Sequence, residues 1–434
     1  MHTYKLYILS LLLLALAASA HAQNEKRWLK HQITTLSGNS MHGRGYVNKG
    51  GDKAAAYIRR HFKELGLLPF NSDSSYYQKY SFGINTFPGA MALTINKKEL
   101  KPGADYLVQG ASKSYHSDSK VSLTTVNLAK VKDSAGWATV KAKFKPGKSY
   151  YLKNADTAAK YLGFSWRTFA QQLPDNLFII PKAGKLIWTA NQDTVAGTVF
   201  YVEDSVLPKH PKKALADVEA KYLPSFAAQN VLAYSLGKKQ PDSFIVFSAH
   251  YDHLGQMGKN TFFPGAHDNA SGTAMVMYLA SYFSEHPQKY SIAFMLFSGE
   301  EAGLLGSKYY VAHPVFPIDH IKFVVNLDMT GDATNGITVV NGEVQEPAFN
   351  LLQGINQRKN YLPKIDKREQ TKNSDHYSFS QAGAPAVFIY GNGTKGFYHD
   401  VFDTAKELSL EHIDGLAKLL IDFTGEMQGH TPKP

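Results

Sequence analysis

The second half of the chain alternates strand-like and helix-like segments, and this alternation constrains the fold more than any other feature. From about residue 226, four apolar runs have strand length: SFIVFSAH, SIAFMLFS, IKFVVNLDM and APAVFIYG. Segments with apolar residues at helical spacing lie between or after them, such as GTAMVMYLASYFSEH and LEHIDGLAKLLIDFTGEMQ. Continuous apolar strands separated by helices indicate a mostly parallel sheet with helices on both faces. We therefore predict an α/β fold.

The middle of the chain has a different texture. Short β-like pieces such as MALTINKKEL and GTVFYVED alternate with turns, and one predicted helix, NADTAAKYLGFSWRTFAQQL, interrupts them. We predict a mainly β inserted domain at residues 86–225, called the insert below. The α/β domain would then consist of an N-terminal part at 23–85, which contains helical patterns, and a main part at 226–434.

The N-terminus has the features of an export signal. The segment MHTYKLYILSLLLLALAASAHAQ contains one lysine, a leucine-rich run and small residues that end in AHA at 20–22. Its apolar run is short for a bilayer span and is followed by a cleavage pattern. We predict a signal peptide at 1–22, cleaved near Ala22/Gln23, and a secreted or periplasmic protein without a stable membrane anchor.

Composition excludes several kinds of site. The chain has no cysteine, so thiolate ligands, thiol nucleophiles and disulfides are excluded. A bound metal must use His, Asp and Glu, which suits zinc, cobalt or manganese. The formal net charge is +11, and residues 81–225 hold 20 Lys+Arg against 11 Asp+Glu. No nucleic-acid-binding motif accompanies this surplus, so we interpret it as a solvated basic surface and expect no nucleic-acid partner.

Metal-competent side chains follow the predicted strands at the point where each strand ends. Three strand ends, the loop between the first two strands and the segment after the last strand supply them: His250, Asp252, Asp268, Glu300, Glu301, Asp328 and His399. Because the carboxyl ends of parallel strands meet at one sheet edge, function collects there. Each residue alone is explained by a turn or a helix cap. Together, so many carboxylates would repel one another without a cation, and two divalent ions would explain the cluster.

Six short motifs in this order resemble the co-catalytic di-zinc aminopeptidases of the bacterial leucyl aminopeptidase, glutamate carboxypeptidase and transferrin receptor superfamily. They are SAHYDHLG, PGAHDNASG, FSGEEAGLLGS, NLDMTG, SDHYSF and YHDVFDT. The resemblance covers about 240–405 and extends weakly to HGRGYVNKGGDKAAAYIRRHF. It implies the zinc exopeptidase fold, which is phosphorylase/hydrolase-like. By position and β texture, the insert resembles a protease-associated domain.

The resemblance also implies a ligand set for two zinc ions, replaceable by cobalt or manganese. His250 and Asp328 would hold one ion, and Glu301 and His399 would hold the other. Asp268 would bridge the two. Each ion would keep an open position for water and substrate, as catalytic zinc requires.

The remaining implied roles concern proton transfer and orientation. Glu300 would stay unligated and act as general base. Asp252 would orient His250 through a hydrogen bond. Tyr398 would either donate a hydrogen bond to the developing oxyanion or only pack beside His399.

Five neighbouring polar residues are not expected to bind metal: His253, His267, Asp375, His376 and Asp403. Asp375 and His376 are expected either to line the pocket or to buttress the metal site, and His253 and His267 are expected to be structural. Among them, Asp403 is expected to support the loop of His399. A strained or cis peptide is expected between Asp268 and Asn269.

The leading hypothesis is a secreted exopeptidase that removes N-terminal residues from peptides or proteins. A glutaminyl cyclase with a single zinc ion and a carboxypeptidase are alternatives that share the fold. A non-catalytic receptor-like protein should have lost ligands or the base, and none is missing here. The insert is expected to restrict access to the site or to shape specificity. The sequence leaves the substrate side chain and the oligomeric state open.

Overall fold

A computed structural model describes residues 24–70 and 75–429 of the 434-residue chain. The predicted signal peptide at 1–22 lies outside the described residues. Within the described ranges, no helix combines the length and the apolar character that crossing a membrane requires.

Nineteen strands lie in the described ranges and form two large sheets and one small one. In chain order they are β1 (Tyr77–Thr86), β2 (Met91–Ile95), β3 (Lys98–Leu100), β4 (Tyr106–Val108), β5 (Tyr115–His116), β6 (Val121–Asn127), β7 (Ser149–Lys153), β8 (Leu177–Lys182), β9 (Thr198–Glu203), β10 (Lys213–Val218), β11 (Lys221–Ser235), β12 (Gln240–His250), β13 (Gly255–Gln256), β14 (Phe262–Phe263), β15 (Tyr290–Phe297), β16 (Ile321–Leu327), β17 (Ile337–Val340), β18 (Ile365–Arg368) and β19 (Ala386–Gly391).

Ten α-helices accompany the strands over the same described ranges. They are α1 (24–36), α2 (Gly50–Glu64), α3 (Ser134–Lys141), α4 (Ala155–Leu162), α5 (Trp166–Ala170), α6 (Gly272–Glu285), α7 (Leu305–Ala312), α8 (Glu346–Lys359), α9 (His376–Gln381) and α10 (Ile413–Met427).

The main sheet contains eight strands in the order β1-β11-β15-β12-β16-β19-β17-β18. Its four central strands, β15, β12, β16 and β19, run parallel to one another. β1 and β11 pair antiparallel at one side, and β17 pairs antiparallel with β19 at the other. The carboxyl ends of the central strands therefore meet at one edge, as the sequence predicted.

Helices cover both faces of the main sheet. One face packs against α1, α2, α6, α8 and α10, in a core that includes Ile245 and Phe247 of β12. The other face packs against α7 and α9, where Tyr310 and Phe379 share a core with Val246. Neighbouring residues of β12 thus enter opposite cores, which explains why this strand is apolar at nearly every position.

The second sheet lies between Met91 and Val218, inside the predicted insert. Its order is β3-β2-β10-β6-β7-β8-β9-β4, and β5 pairs with β10. β6, β7, β8 and β9 are parallel neighbours, and residues of α4 and α5 share an aromatic-rich core with β7 and β8. The boundaries at 86 and 225 stay predictions.

The single helix predicted at 154–173 is wrong, because the structure has two helices there. Gly163 adopts a φ of 64° and ends α4. This left-handed conformation costs glycine little and is typical of helix ends. Ser165 then begins α5 by accepting a hydrogen bond from the backbone N–H of Thr168.

β1 and β11 link the two sheets, since β1 leads into the insert and β11 leads out of it. They pair antiparallel from Tyr77↔Val231 to Thr86↔Lys221, with one register shift between Phe82 and Ile84. An apolar cluster adds side-chain contact between the sheets: Phe87 and Trp188 of the insert lie in one core with Leu254, Met257 and Phe263. This cluster brings the insert against the loops that follow β12.

Candidate metal centre

The parallel register brings His250 and Asp328 together. Ser248 of β12 pairs with Asn326 of β16, so the residues two positions further on leave the sheet side by side. His250 Nε2 lies 3.3 Å from Asp328 Oδ1. Both side chains are buried.

Asp268 lies between two imidazoles. Its Oδ1 is 3.3 Å from His250 Nε2, and its Oδ2 is 3.1 Å from His399 Nε2. One carboxylate therefore faces both halves of the cluster, as a bridging ligand would. The peptide bond from Asp268 to Asn269 is cis, as the sequence comparison with zinc exopeptidases led us to expect.

The adjacent residues Glu300 and Glu301 have different surroundings. Glu301 Oε1 lies 2.5 Å from His253 Nδ1, and its Oε2 lies 3.0 Å from His399 Nε2. The Glu301 side chain is only 2% exposed. The Glu300 side chain is 13% exposed and faces the neighbouring cavity, with Oε2 4.0 Å from His250 Nε2.

The two glutamates also differ in proton affinity. Burial raises the pKa of Glu300, and the nearby carboxylates of Glu301 and Asp375 raise it further, so it lies well above its ordinary value although His250 opposes the shift. Burial would also raise the pKa of Glu301, but His399 and His253 outweigh it and hold this pKa at about 2. When their surroundings move the pKa values of two carboxyl groups apart, the group with the higher pKa can accept a proton and the group with the lower pKa stays ionised.

The donor atoms fit metal ions of the zinc type. One group of ligand atoms, from His250, Asp268 and Asp328, lies within 4.8 Å of one another. A second group, from His253, Asp268 and Glu301, meets the same limit. Asp328 Oδ1 is buried and accepts no hydrogen bond from the described residues, so a cation would satisfy it. Imidazole nitrogen and carboxylate oxygen are donors that zinc accepts.

A cavity of about 530 Å³ opens directly onto this cluster. Its wall combines metal-competent, aromatic, amide and cationic side chains. They include His250, His267, Asp268, Glu300, Asp328, Arg368, Asn373, Phe388, Tyr390, Asn392, Lys395, Tyr398 and His399. The volume suits the end of a peptide rather than a folded chain.

Asp252 lies beside His250, but its carboxylate has other partners. His250 Nδ1 is 3.1 Å from the backbone carbonyl oxygen of Asp252 and 3.7 Å from its Oδ1. The backbone N–H of Glu300 donates to Asp252 Oδ1 at 3.2 Å, and the Tyr46 hydroxyl donates to Oδ2 at 3.0 Å. The expected orientation of His250 thus comes from the carbonyl of Asp252, while its carboxylate contacts the Glu300 backbone.

Other supporting residues are placed as follows. Asp403 accepts hydrogen bonds from the backbone N–H groups of His267 at 2.8 Å and Asp268 at 3.0 Å. Asp403 lies four residues after His399, so its carboxylate ties the loop of His399 to the loop of Asp268. The Tyr398 ring is 40% exposed and stacks on the His399 imidazole, with centroids 3.8 Å apart. Its role in catalysis stays a prediction.

Asp375 and His376 are fully buried behind the cavity rather than in its lining. Burial, with the charges of Asp252 and Asp328, raises the pKa of Asp375 to about 7. Burial lowers the pKa of His376 to about 4, so its imidazole is neutral. These positions favour the buttressing role among the two that the sequence allowed.

Sequence reasoning did not predict the contacts of His253 and Arg44 with the cluster. His253 was expected to be structural, and its Nδ1 contacts one oxygen of Glu301 and leaves the other to face His399. Its signal was the position three residues after His250, on the same strand-end loop. For Arg44, the signal was an arginine between two glycines in HGRGY.

Arg44 is completely buried and clamps the Asp268 loop. Its flanking glycines allow this approach, because a Cβ at Gly43 or Gly45 would lie 2.4 Å from backbone atoms of Gly255. Burial lowers the Arg44 pKa to about 10, a shift that nearby carboxylates limit. The acceptors of its guanidinium are the carbonyl oxygens of Leu36 (3.0 Å), Tyr251 (2.8 Å), Pro264 (2.8 Å), Gly265 (2.7 Å) and Asp268 (3.3 Å).

Comparison with known proteins finds a family match in the second half of the chain. Residues 230–424 match the model of Peptidase family M28. The chain carries a peptidase family M28 domain. Aminopeptidase YwaD of Bacillus subtilis (strain 168) is 28% identical over 239 residues, covering 50% of this chain and 49% of that protein. A probable zinc metalloprotease of Pyrenophora tritici-repentis is 26% identical over 238 residues, covering 46% of this chain and 49% of that protein. The chain thus spans about half the length of these curated relatives.

Solved structures share the fold of the M28 domain and its insert. A zinc aminopeptidase from Bacillus subtilis has a TM-score of 0.68 at 20% identity, covering 92% of this chain and 95% of the other. An aminopeptidase from Aneurinibacillus sp. strain AM-1 has a TM-score of 0.61 at 20% identity, covering 93% of each chain. These likenesses confirm the predicted α/β zinc exopeptidase fold.

Substitution of Arg44 by lysine is expected to lower the free energy of unfolding by roughly 2–4 kcal/mol. A lysine keeps the buried charge but leaves several carbonyl oxygens without donors. Urea denaturation of the purified protein measures the change. Arg60→Lys is the matched control, since Arg60 is an exposed arginine on α2. Equal stability of the Arg44 and Arg60 variants would contradict the clamp.

Proposed function

We propose that this chain is an aminopeptidase that uses two zinc ions and in which Glu300 is the general base. The observation that carries the proposal is the separation of the two adjacent glutamates. Glu301 contacts His253 and His399 inside the cluster, whereas Glu300 faces the cavity. The names of the relatives, an aminopeptidase and a zinc metalloprotease, support the same activity.

The two halves of the cluster support a ligand assignment for two ions. His250 and Asp328 would hold one ion, Glu301 and His399 would hold the other, and Asp268 would bridge them, since its two oxygens face the two histidines separately. When bound, two zinc ions polarise the scissile carbonyl and lower the pKa of the attacking water.

Glu300 moves the proton in the proposed hydrolysis. Its carboxylate accepts a proton from the attacking water as the water oxygen bonds to the carbonyl carbon. When the C–N bond breaks, Glu300 gives that proton to the leaving amine nitrogen. The hydrogen bond from its backbone N–H to Asp252 keeps Glu300 where the cluster meets the cavity.

The size of the cavity favours a substrate that enters by one end. A partly enclosed cavity limits how much chain fits beyond the cluster, which favours removal of terminal residues. The name of the Bacillus subtilis relative, an aminopeptidase, supports the N-terminal end as the one that is cleaved. Tyr398 lines the same cavity wall, which supports the proposal that its hydroxyl donates to the substrate carbonyl oxygen.

Glu300→Gln is expected to keep both zinc ions and to lower kcat on aminoacyl p-nitroanilides by roughly 10²–10⁴-fold, because an amide cannot accept the proton. Glu301→Gln is the matched comparison and is expected to lose zinc as well as activity, because it removes an anionic ligand. Metal content by mass spectrometry and initial rates measure both effects.

Two outcomes would contradict this proposal. One is a Glu300→Gln variant with near wild-type kcat. The other is equal cleavage of peptides with free and acetylated N-termini, which would favour an enzyme that acts from the other end of the chain.

We also propose that the protein is exported. The leader at 1–22 supports this, with its leucine-rich run and AHA cleavage pattern. Expression of the full chain in a bacterium and mass spectrometry of the product are expected to find Gln23 at the N-terminus. Recovery of the uncleaved chain from the cytoplasm would contradict export.

A further inference from the structure

A backbone segment of the insert holds His399 from the side opposite the metal cluster. His399 Nδ1 lies 2.9 Å from the carbonyl oxygen of Trp188. The Trp188 backbone N–H donates to the His399 carbonyl oxygen at 3.0 Å. The two residues are 211 positions apart in the chain. They form a reciprocal pair between the insert and the M28 domain.

This pair fixes the tautomer of His399. A carbonyl oxygen only accepts hydrogen bonds, so the imidazole proton must lie on Nδ1. Nε2 then keeps its lone pair, and it is Nε2 that faces Asp268 at 3.1 Å and Glu301 at 3.0 Å. An imidazole that donates through its other nitrogen is oriented as a metal ligand and becomes more basic.

Trp188 itself is held rigidly on the insert. Its indole N–H donates to the carbonyl oxygen of Val108 on β4 at 2.8 Å. Its ring stacks on Phe263 of β14, with centroids 4.6 Å apart, and is 5% exposed. The segment that carries the Trp188 carbonyl is therefore fixed between the second sheet and the loop that leads to Asp268.

A second contact holds the loop of His399 to the same insert segment. Lys185 Nζ lies 2.8 Å from Oδ2 of Asp400, the residue that follows His399 in sequence. The same ammonium group donates to the carbonyl oxygen of Gly396. The Asp400 side chain is 7% exposed, so this ion pair is partly shielded from water. Lys185 thus holds the His399 loop at both ends.

We propose that the insert completes the metal centre, with the Trp188 carbonyl as the positioning group that fixes His399 as a ligand. The sequence suggested only that the insert controls access or specificity. This inference rests on the proposed function, since it assumes that His399 binds zinc. It assigns metal affinity, rather than substrate choice alone, to a part of the chain outside the residues matched by the M28 family model.

Two variants of the full mature chain test the proposal, each with a matched control. Trp188→Phe keeps a ring against Phe263 but loses the donor to Val108. Trp166→Phe is its control, since Trp166 is another buried indole of the insert, whose N–H donates to a backbone carbonyl at 3.2 Å.

Lys185→Met removes the contacts with Asp400 and Gly396. Lys182→Met is its control, because Lys182 pairs with Asp156 inside the insert at 2.5 Å. Lys185→Met also decides the question if Trp188→Phe fails to fold.

Three readouts apply to each variant. Competition with a chelator gives the Kd values of the two zinc ions, and a His399→Ala variant identifies which value belongs to His399. Cobalt-substituted protein gives a visible spectrum of the ligand field. Histidine-selective ¹⁵N NMR of the zinc-loaded protein reports the Nδ1–H of His399.

The Kd of the ion at His399 is expected to rise about 10-fold in both test variants, with a changed cobalt spectrum and a shifted Nδ1–H resonance. The other ion and both control variants are expected to stay within about twofold of wild type. Folded test variants with unchanged zinc affinity and an unchanged Nδ1–H resonance would overturn the proposal.

Measurements on the wild-type protein distinguish a failure of this proposal from a failure of the proposed function. Wild-type chain that binds fewer than two zinc ions and hydrolyses no aminoacyl amide removes the basis of both proposals. Wild-type chain that binds two and hydrolyses these amides, with test variants that match their controls, overturns only the role of the insert.

Discussion

The convergence of carboxylates at one edge of the main sheet is the constraint on which the rest of this structure depends. Asp268, Glu300, Glu301 and Asp328 lie together with little exposure to water, and three imidazoles cannot neutralise all four carboxylates. Burying unpaired charge costs several kcal/mol per ion in proteins. A pair of cations would offset this cost and is consistent with the bridging position of Asp268. The cluster is thus stable as a metal site and unfavourable as an empty one.

Three separate parts of the chain build this site. The M28 domain carries the proposed ligands, at its strand ends and in the loops of Asp268 and His399. The N-terminal loop supplies Arg44, which binds five carbonyl oxygens and fixes the turn that presents Asp268. The insert supplies the Trp188 carbonyl against His399. Both supports come from outside residues 230–424, so the match to the family model alone does not contain the whole site.

The parallel sheet and the cluster were predictable because both leave side-chain patterns in the sequence. Apolar strands that end in His250 and Asp328 fix the edge where ligands meet, and the register then brings them together. The support for His399 was not predictable, because a backbone carbonyl has no sequence signature. The two helices in place of one at 154–173 depended on a left-handed Gly163, which a helical pattern alone does not show. The bonds from Asp403 to the Asp268 loop were not predictable either, because that loop lies 135 or more positions away in the chain.

Anomalous diffraction from crystals of the zinc-loaded protein, collected above and below the zinc absorption edge, tests the central claim most directly. The account predicts two peaks. One should lie among His250, Asp268 and Asp328, and the other among Asp268, Glu301 and His399, with Glu300 bound to neither. A single peak, or a peak coordinated by Glu300, would contradict a di-zinc centre in which Glu300 is free to act as base.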